Sequence, residues 1–260
     1  VFEPASVEEA ALLLTQAAQE TKRVSIERLG SPPPCDAVLA TRRLDRVLEH
    51  EAGDLTVTVE AGIRLSALNE RLAEAGQMLA LDPPGDPTVG ACLAGNFSGP
   101  RRHRYGAPRD LVLGVTVVLP DGTIASSGGK VVKNVAGYDL SKLLCGSRGT
   151  LGLIARVSLR LHPLPRVQRT LTAPVDGVDD AYRLAQLVHR STLVPSAVDL
   201  FWHRPGSRLA LLFEGSERAV AAQLEAAREL LGGDEEDATI WDESRTAQAV
   251  SLGRISFPPR

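Results

Sequence analysis

Two glycine-rich runs hold the residues whose types and spacing could do chemistry. The first is D-P-P-G-D-P-T-V-G-A, residues 82–91. Pro87 precedes Thr88 and a short apolar run, so Thr88 can start a helix whose first N–H groups have no partner within the helix. The positive end of the helix dipole adds to those groups, and together they can receive a phosphate or pyrophosphate. Gly85 and Gly90 would let an anion approach the backbone closely. The same residues also read as a plain turn into a buried helix. The second run, G-S-R-G-T-L-G at residues 146–152, has the spacing G-x-x-G-x-x-G and leads into a strand. A nicotinamide-binding loop needs G-x-G-x-x-G ahead of a helix, with an acidic residue about twenty positions further on, so that chemistry is excluded.

Other chemistries fall away on residue type and spacing. The histidines, His50, His103, His162, His189 and His203, lack ligand spacing, so no metal site is expected. Neither a G-x-S-x-G elbow nor a Walker lysine motif occurs. Arg101, Arg102, His103 and Arg104 form a basic run that could meet phosphates or an acidic partner; the reading preferred here is a solvated loop. A net charge of -3 over 260 residues gives no reason to expect nucleic acid as a partner. Cys35, Cys92 and Cys145 are far apart and odd in number, which suits a reducing, cytoplasmic setting better than a disulfide frame. No apolar run reaches the roughly 18 residues of a membrane span. The sequence opens at Val1 and closes on I-S-F-P-P-R, as a piece of a longer chain would.

The elements that must position these runs follow from periodicity. Ser6 and Glu9 have capping-box spacing ahead of a helix that places Val7, Ala10, Ala11, Leu14 and Ala18 on one face. Short strands are expected at 23–26 and 37–40, separated by a proline run. L-T-V-T-V-E at 55–60 alternates as a strand, residues 64–75 carry a leucine stripe ending near Gly76, and 78–81 is a further strand. The run L-V-L-G-V-T-V-V-L at 111–119 is the strongest strand signal, and Pro120-Asp121-Gly122 turns it back into 123–126. Residues 151–161 alternate once more, and H-P-L-P ends that strand at a domain boundary. Beyond it lie expected strands at 169–172, 197–202, 208–213 and 238–241, with helices at 178–190 and 217–231. That β-α-β-β-α-β order is that of a ferredoxin-like unit. The expected domains are therefore residues 1–165 and a small α+β domain at 166–260.

The chain also resembles a known family. D-P-P-G-D-P-T-V-G-A-C-L-A-G-N-F-S-G-P-R-R-H-R-Y-G-A-P-R-D-L-V-L-G-V, then G-G-K-V-V-K-N-V-A-G-Y-D-L-S-K-L-L-C-G-S-R-G-T-L-G-L-I, is similar to the FAD-binding E subunits of bacterial glycolate oxidase. These belong to the vanillyl-alcohol-oxidase, or PCMH-type, flavoprotein superfamily. Residues 40–63 match as well, and the likeness loosens after Pro165. It implies an α+β, PCMH-type FAD-binding fold of two α+β subdomains that hold the cofactor between them. Pro84, Gly85, Thr88, Val89, Gly90 and Ala91 match the stretch along the pyrophosphate and ribityl chain. Ala94, Asn96, Tyr105, Gly106 and Asp110 match the segment passing the flavin. Gly149, Gly152 and Ile154 match the stretch near the adenosine end, with Glu60, Ala61 and Gly62 close by.

One departure stands out. Relatives carry a P-x-G-G-G-T-K loop after the first strand, whereas here S-I-E-R-L-G runs straight into S-P-P-P. The usual covalent histidine of that loop is missing too, so the flavin is expected to be non-covalent. The resemblance implies an FAD-dependent oxidoreductase subunit that supports oxidation of glycolate to glyoxylate. Its expected partners are a flavin-bearing catalytic subunit and an iron–sulfur subunit, any membrane association running through them. No catalytic base is evident, His189 and His203 being loose candidates. Two alternatives stay open: a flavin-free interaction subunit of that complex, and a stand-alone FAD-dependent 2-hydroxy-acid dehydrogenase.

Overall fold

A computed structural model describes residues 1–27, 33–129, 140–202 and 206–249. The missing-loop position at 28–32, much of the G-G-K-V-V-K-N-V-A-G-Y motif and His203 lie outside the described residues. Two units divide the chain. One comprises the described parts of Val1–Leu81, Asp86–Ser98 and Gly106–Leu164. The other takes Asp82–Gly85, Gly99–Tyr105 and the described residues from Pro165 onward.

In the first unit, α1 (Val7–Gln19) begins at Ser6, whose Oγ accepts the Glu9 N–H at 3.1 Å. The Glu9 carboxylate reaches back to the Ala5 N–H, one residue before the cap. Strands β1 (Val24–Ile26) and β2 (Ala37–Leu39) pair in parallel. The chain then runs through β3 (Val47–Glu51), β4 (Thr56–Glu60), α2 (Leu65–Ala73), β5 (Gln77–Met78) and α3 (Val89–Gly95). One turn of helix, α4 (Arg102–Tyr105), falls in the second unit. Back in the first come α5 (Pro108–Leu111), β6 (Val112–Val118), β7 (Ile124–Gly128), α6 (Ser141–Leu144), β8 (Leu153–Arg160) and β9 (His162–Pro163).

Five of these strands form one antiparallel sheet in the order β3-β4-β8-β6-β7. Alternation along the strands sends neighbouring residues to opposite faces. Val117 and Ile154 join the cluster that receives Leu65, Leu68 and Leu72 of α2 and Val89, Cys92 and Leu93 of α3. Val118, Leu153 and Ala155 face the other way, against Val7, Ala10 and Leu14 of α1. Residues 78–81 differ from the expected strand: only Gln77 and Met78 pair, because the Asn69 side chain takes the Leu79 N–H at 2.8 Å.

The second unit's main sheet contains β10 (Val167–Pro174), β11 (Ala197–Phe201), β12 (Arg208–Gly215) and β13 (Asp234–Glu236), antiparallel in the order β11-β12-β10-β13. Helices α7 (Gly177–Arg190) and α8 (Glu217–Leu231) lie between its strands in the chain, and their Leu184, Val188, Val220 and Leu224 pack with Leu171, Leu209, Leu211 and Phe213. The strand expected at 238–241 is instead the approach to α9 (Ile240–Ala249). Asp237 makes the turn by accepting the Thr239 N–H, and Ile240 and Trp241 are both buried, which a half-buried strand would not allow. The Trp241 indole N–H donates to Thr170 Oγ1 at 2.9 Å.

Arg102, His103 and Arg104 of the basic run are exposed, as expected, but the segment forms a helical turn and Arg101 is not solvated. Arg101 is ion-paired to Glu214, whose side chain is 1% exposed against 24% for the arginine. Tyr105 donates its hydroxyl to the same carboxylate at 3.1 Å, and Arg104 reaches Ser196 Oγ at 3.3 Å. The backbone N–H of Arg101 donates to the Asp82 carboxylate. Burial pushes Asp82 up from 3.8 to about 6, against hydrogen bonding and charge from Arg101 that act the other way. The folded chain therefore keeps a proton that the unfolded chain has released. Stability from this group is full below 3.8 and falls as pH rises to about 6. Thermal melts should show wild type losing stability relative to Asp82→Asn across that window, and a constant difference would contradict it.

Candidate cofactor cleft

A cavity of 370 Å³ opens in the first unit, within the range of small-molecule sites. Its walls are Thr88, Gly90, Ala91, Ala94 and Gly95 of α3 and its cap, Ile26 and Glu27 at the end of β1, and Thr41 and Phe97. Arg148, Gly149 and Gly152 of the loop before β8 close it with Leu153 and Ile154. A hollow of 470 Å³ shares Ile26, Arg148, Gly149, Gly152 and Leu153 with it. Another of 460 Å³ shares Glu27, Thr41, Thr88 and Ala91. The three hollows are neighbours that share these walls.

Local sequence explains how the walls are held. Thr88 caps α3, its Oγ1 accepting the Ala91 N–H at 3.2 Å. The helix ends on Asn96 in the left-handed region, φ 50°, and residues 146–148 close over that end. Gly146 and Arg148 donate their N–H groups to Leu93 and Ala94 carbonyls at 3.0 and 2.9 Å. Arg148 itself sits at φ 53°, a conformation that costs a side-chain-bearing residue roughly 1–2 kcal/mol. On the opposite wall, the Gly62 N–H donates to the Leu44 carbonyl at 2.7 Å, fixing the turn that presents Thr41.

The expectation of free amides at the start of α3 is corrected by this geometry. The Val89 N–H donates to Ile63 O at 2.9 Å and the Gly90 N–H to Ala61 O at 2.7 Å. Glycine at position 90 is needed for packing, since an added Cβ would lie 2.8 Å from that of Ala61. Asn96 Oδ1, Ser98 Oγ and Ser147 Oγ are buried with no hydrogen-bond partner among the described residues. Asn96 ends α3, Ser98 follows two residues on, and Ser147 lies in the loop that closes over the helix. Glu27 is the single carboxylate lining the cavity among the described residues, and Arg42 donates to it at 3.0 Å and through a second, shorter contact.

Of the residues expected at the cofactor, Thr88, Gly90, Ala91, Ala94, Gly149, Gly152 and Ile154 line the central cavity. Val89 is buried in the core, its N–H engaged. Asn96 contributes the unpaired oxygen, and Gly106 and Asp110 build a turn in which Asp110 Oδ2 accepts the Ala107 N–H at 2.8 Å. Pro84, Gly85 and Tyr105 belong to the second unit. Sequence reasoning passed over Arg148, Thr41 and Phe97; the arginine was visible inside G-S-R-G-T-L-G, but nothing in the spacing marked its side chain. His189 is exposed in the last turn of α7. Among the described residues no group of three or more His, Cys, Asp or Glu is placed to hold a metal ion. No helix among them is long and apolar enough to cross a membrane.

Fold comparison defines the class first. Two crystal structures of alkyldihydroxyacetonephosphate synthase superpose with TM-scores of 0.78 and 0.77 at 20% identity. Each covers 94% of this chain, which spans 53% and 56% of theirs. The architecture is thus the α+β fold that these structures share. Residues 1–128 match the model of a family described as an FAD binding domain. Among individual proteins, the chain is 34% identical to glycolate oxidase subunit GlcE of Escherichia coli over 221 residues, 82% of this chain and 61% of that protein. It is 31% identical to glycolate oxidase subunit GlcD of Bacillus subtilis over 76% of this chain and 44% of that protein. A mitochondrial D-lactate dehydrogenase [cytochrome] of Saccharomyces cerevisiae is 32% identical over 60% of this chain and 27% of its own length. The chain therefore spans less than two thirds of each of these relatives.

Proposed function

We propose that this chain is the FAD-holding subunit of a multi-subunit oxidase of a 2-hydroxy acid, with glycolate as the substrate and glyoxylate as the product. The observation that carries the reading is the cleft beside α3, lined by Thr88, Gly90, Ala91 and Ala94 on one side and by Arg148, Gly149 and Gly152 on the other. Thr88, Gly90, Ala91, Ala94, Gly149, Gly152 and Ile154, which line the central cavity, form the cofactor site. The chemistry that FAD supplies when bound is acceptance of a hydride equivalent from the hydroxy acid.

The chain's own residues bind and orient. Thr88, Ala91 and Ala94 shape one wall, and Arg148, Gly149 and Gly152 shape the other. Neither histidine nor cysteine lines the central cavity among the described residues, which supports non-covalent attachment. The proton-removing group is placed on a partner subunit. Those partners are a flavin-bearing catalytic subunit and an iron–sulfur subunit, in a cytoplasmic complex that meets a membrane only through them. Deleting the gene should abolish glycolate-dependent dye reduction in cell extracts, and restoring the gene should recover it. Unchanged glycolate oxidation in the deletion strain would contradict the reading.

One observation favours a second reading, a flavin-free interaction subunit. The Val89 and Gly90 amides, which could have met a diphosphate, are engaged by Ile63 and Ala61. Direct FAD binding separates the two.

A further inference from the structure

Engagement of those amides leaves a charge problem for a dinucleotide cofactor. A diphosphate carries two negative charges, and in a partly enclosed cleft it requires a cation or several free donors. Neither Val89 nor Gly90 offers a free N–H, and α3 is too short to count on its dipole. Glu27 adds negative charge to the same wall, compensated by Arg42.

Cations around the three hollows differ in what they already hold. Lys22 is paired with Glu20, Arg42 with Glu27 and Glu3, and Arg64 donates to the Asp86 carbonyl. Like Arg64, Arg71 and Arg148 have no carboxylate partner among the described residues. Of these, only Arg148 lines the central cavity, and it stands on the wall shared with the neighbouring hollow. Its backbone is held at φ 53° by the bond from its N–H to Ala94 O, where glycine would be the unstrained choice.

We infer that Arg148 is the cofactor's diphosphate-binding residue, its guanidinium replacing the backbone amides that α3 cannot provide. The planar fork of an arginine suits two phosphate oxygens at once. The inference rests on the FAD reading and adds to it the residue that meets the charge.

The backbone conformation supplies a clean test. Arg148→Gly removes the guanidinium and relieves the left-handed strain, so the variant should melt at or above the wild-type temperature. Flavin fluorescence titrations should nevertheless show FAD affinity falling by roughly tenfold or more. Riboflavin, which has no phosphate, should bind wild type and variant equally, and Arg148→Lys should fall between the two for FAD. Wild-type affinity for FAD should also decline with added salt more steeply than that of the glycine variant. FAD affinity in Arg148→Gly within twofold of wild type would overturn the role of Arg148 and leave the FAD reading intact. Failure of wild type to bind either FAD or ADP would overturn the FAD reading itself, before any variant is compared.

Discussion

Gly62→Ala is expected to destabilise the first unit by about 3 kcal/mol or more, because no rotamer change can relieve the clash. A Cβ at this position would lie 1.8 Å from Thr41 O and 2.7 Å from Leu44 O, both backbone atoms. The Gly62 N–H is meanwhile bonded to that same Leu44 carbonyl, so moving the loop away also stretches a 2.7 Å hydrogen bond. The melting temperature should fall by roughly 6–12 °C, given what one kcal/mol is worth in a chain of this size. Thr41 lines the cleft, so whatever protein remains folded should bind FAD less well. A melt unchanged from wild type would show that the loop between β2 and β3 is free to yield.

Breaking the buried pair in the second unit should have an effect of similar size. Arg101→Ala leaves the Glu214 carboxylate, 1% exposed, without its cation and should cost about 3 kcal/mol. Tyr105 and the amide-bound Asp82 do not compensate, since one donates a neutral hydroxyl and the other is itself a carboxylate. The discriminating variant is the double substitution Arg101→Met with Glu214→Gln. It removes both charges and keeps an acceptor for Tyr105, so urea denaturation should show more than half of the lost stability returning. Equal losses in the single and double variants would mean that the arginine matters for packing rather than charge.

Much of the scaffold was legible because its signals are local. Alternation at Thr56–Glu60, Val112–Val118 and Leu153–Arg160, the Asp121-Gly122 turn and the Ser6 cap each act within a few residues. What escaped depends on partners distant in the chain. Strand β3 was missed because Glu49, His50 and Glu51 hide its pattern at a sheet edge, where one side needs no apolar residues. Arg101 of the basic run looked solvated until Glu214, more than a hundred residues away, proved to be its buried partner. The same reason governs the cleft. Its glycines announced close approaches, but which amides stay free depends on the carbonyls of Ala61 and Ile63. Spacing within D-P-P-G-D-P-T-V-G-A carries no information on that pairing.

Titrating the purified chain with FAD tests the central claim most directly. The account predicts quenching of flavin fluorescence that saturates at one FAD per chain, a rise in melting temperature, and full release of flavin on acid precipitation. A chain that shows neither quenching nor a thermal shift at saturating FAD would contradict it.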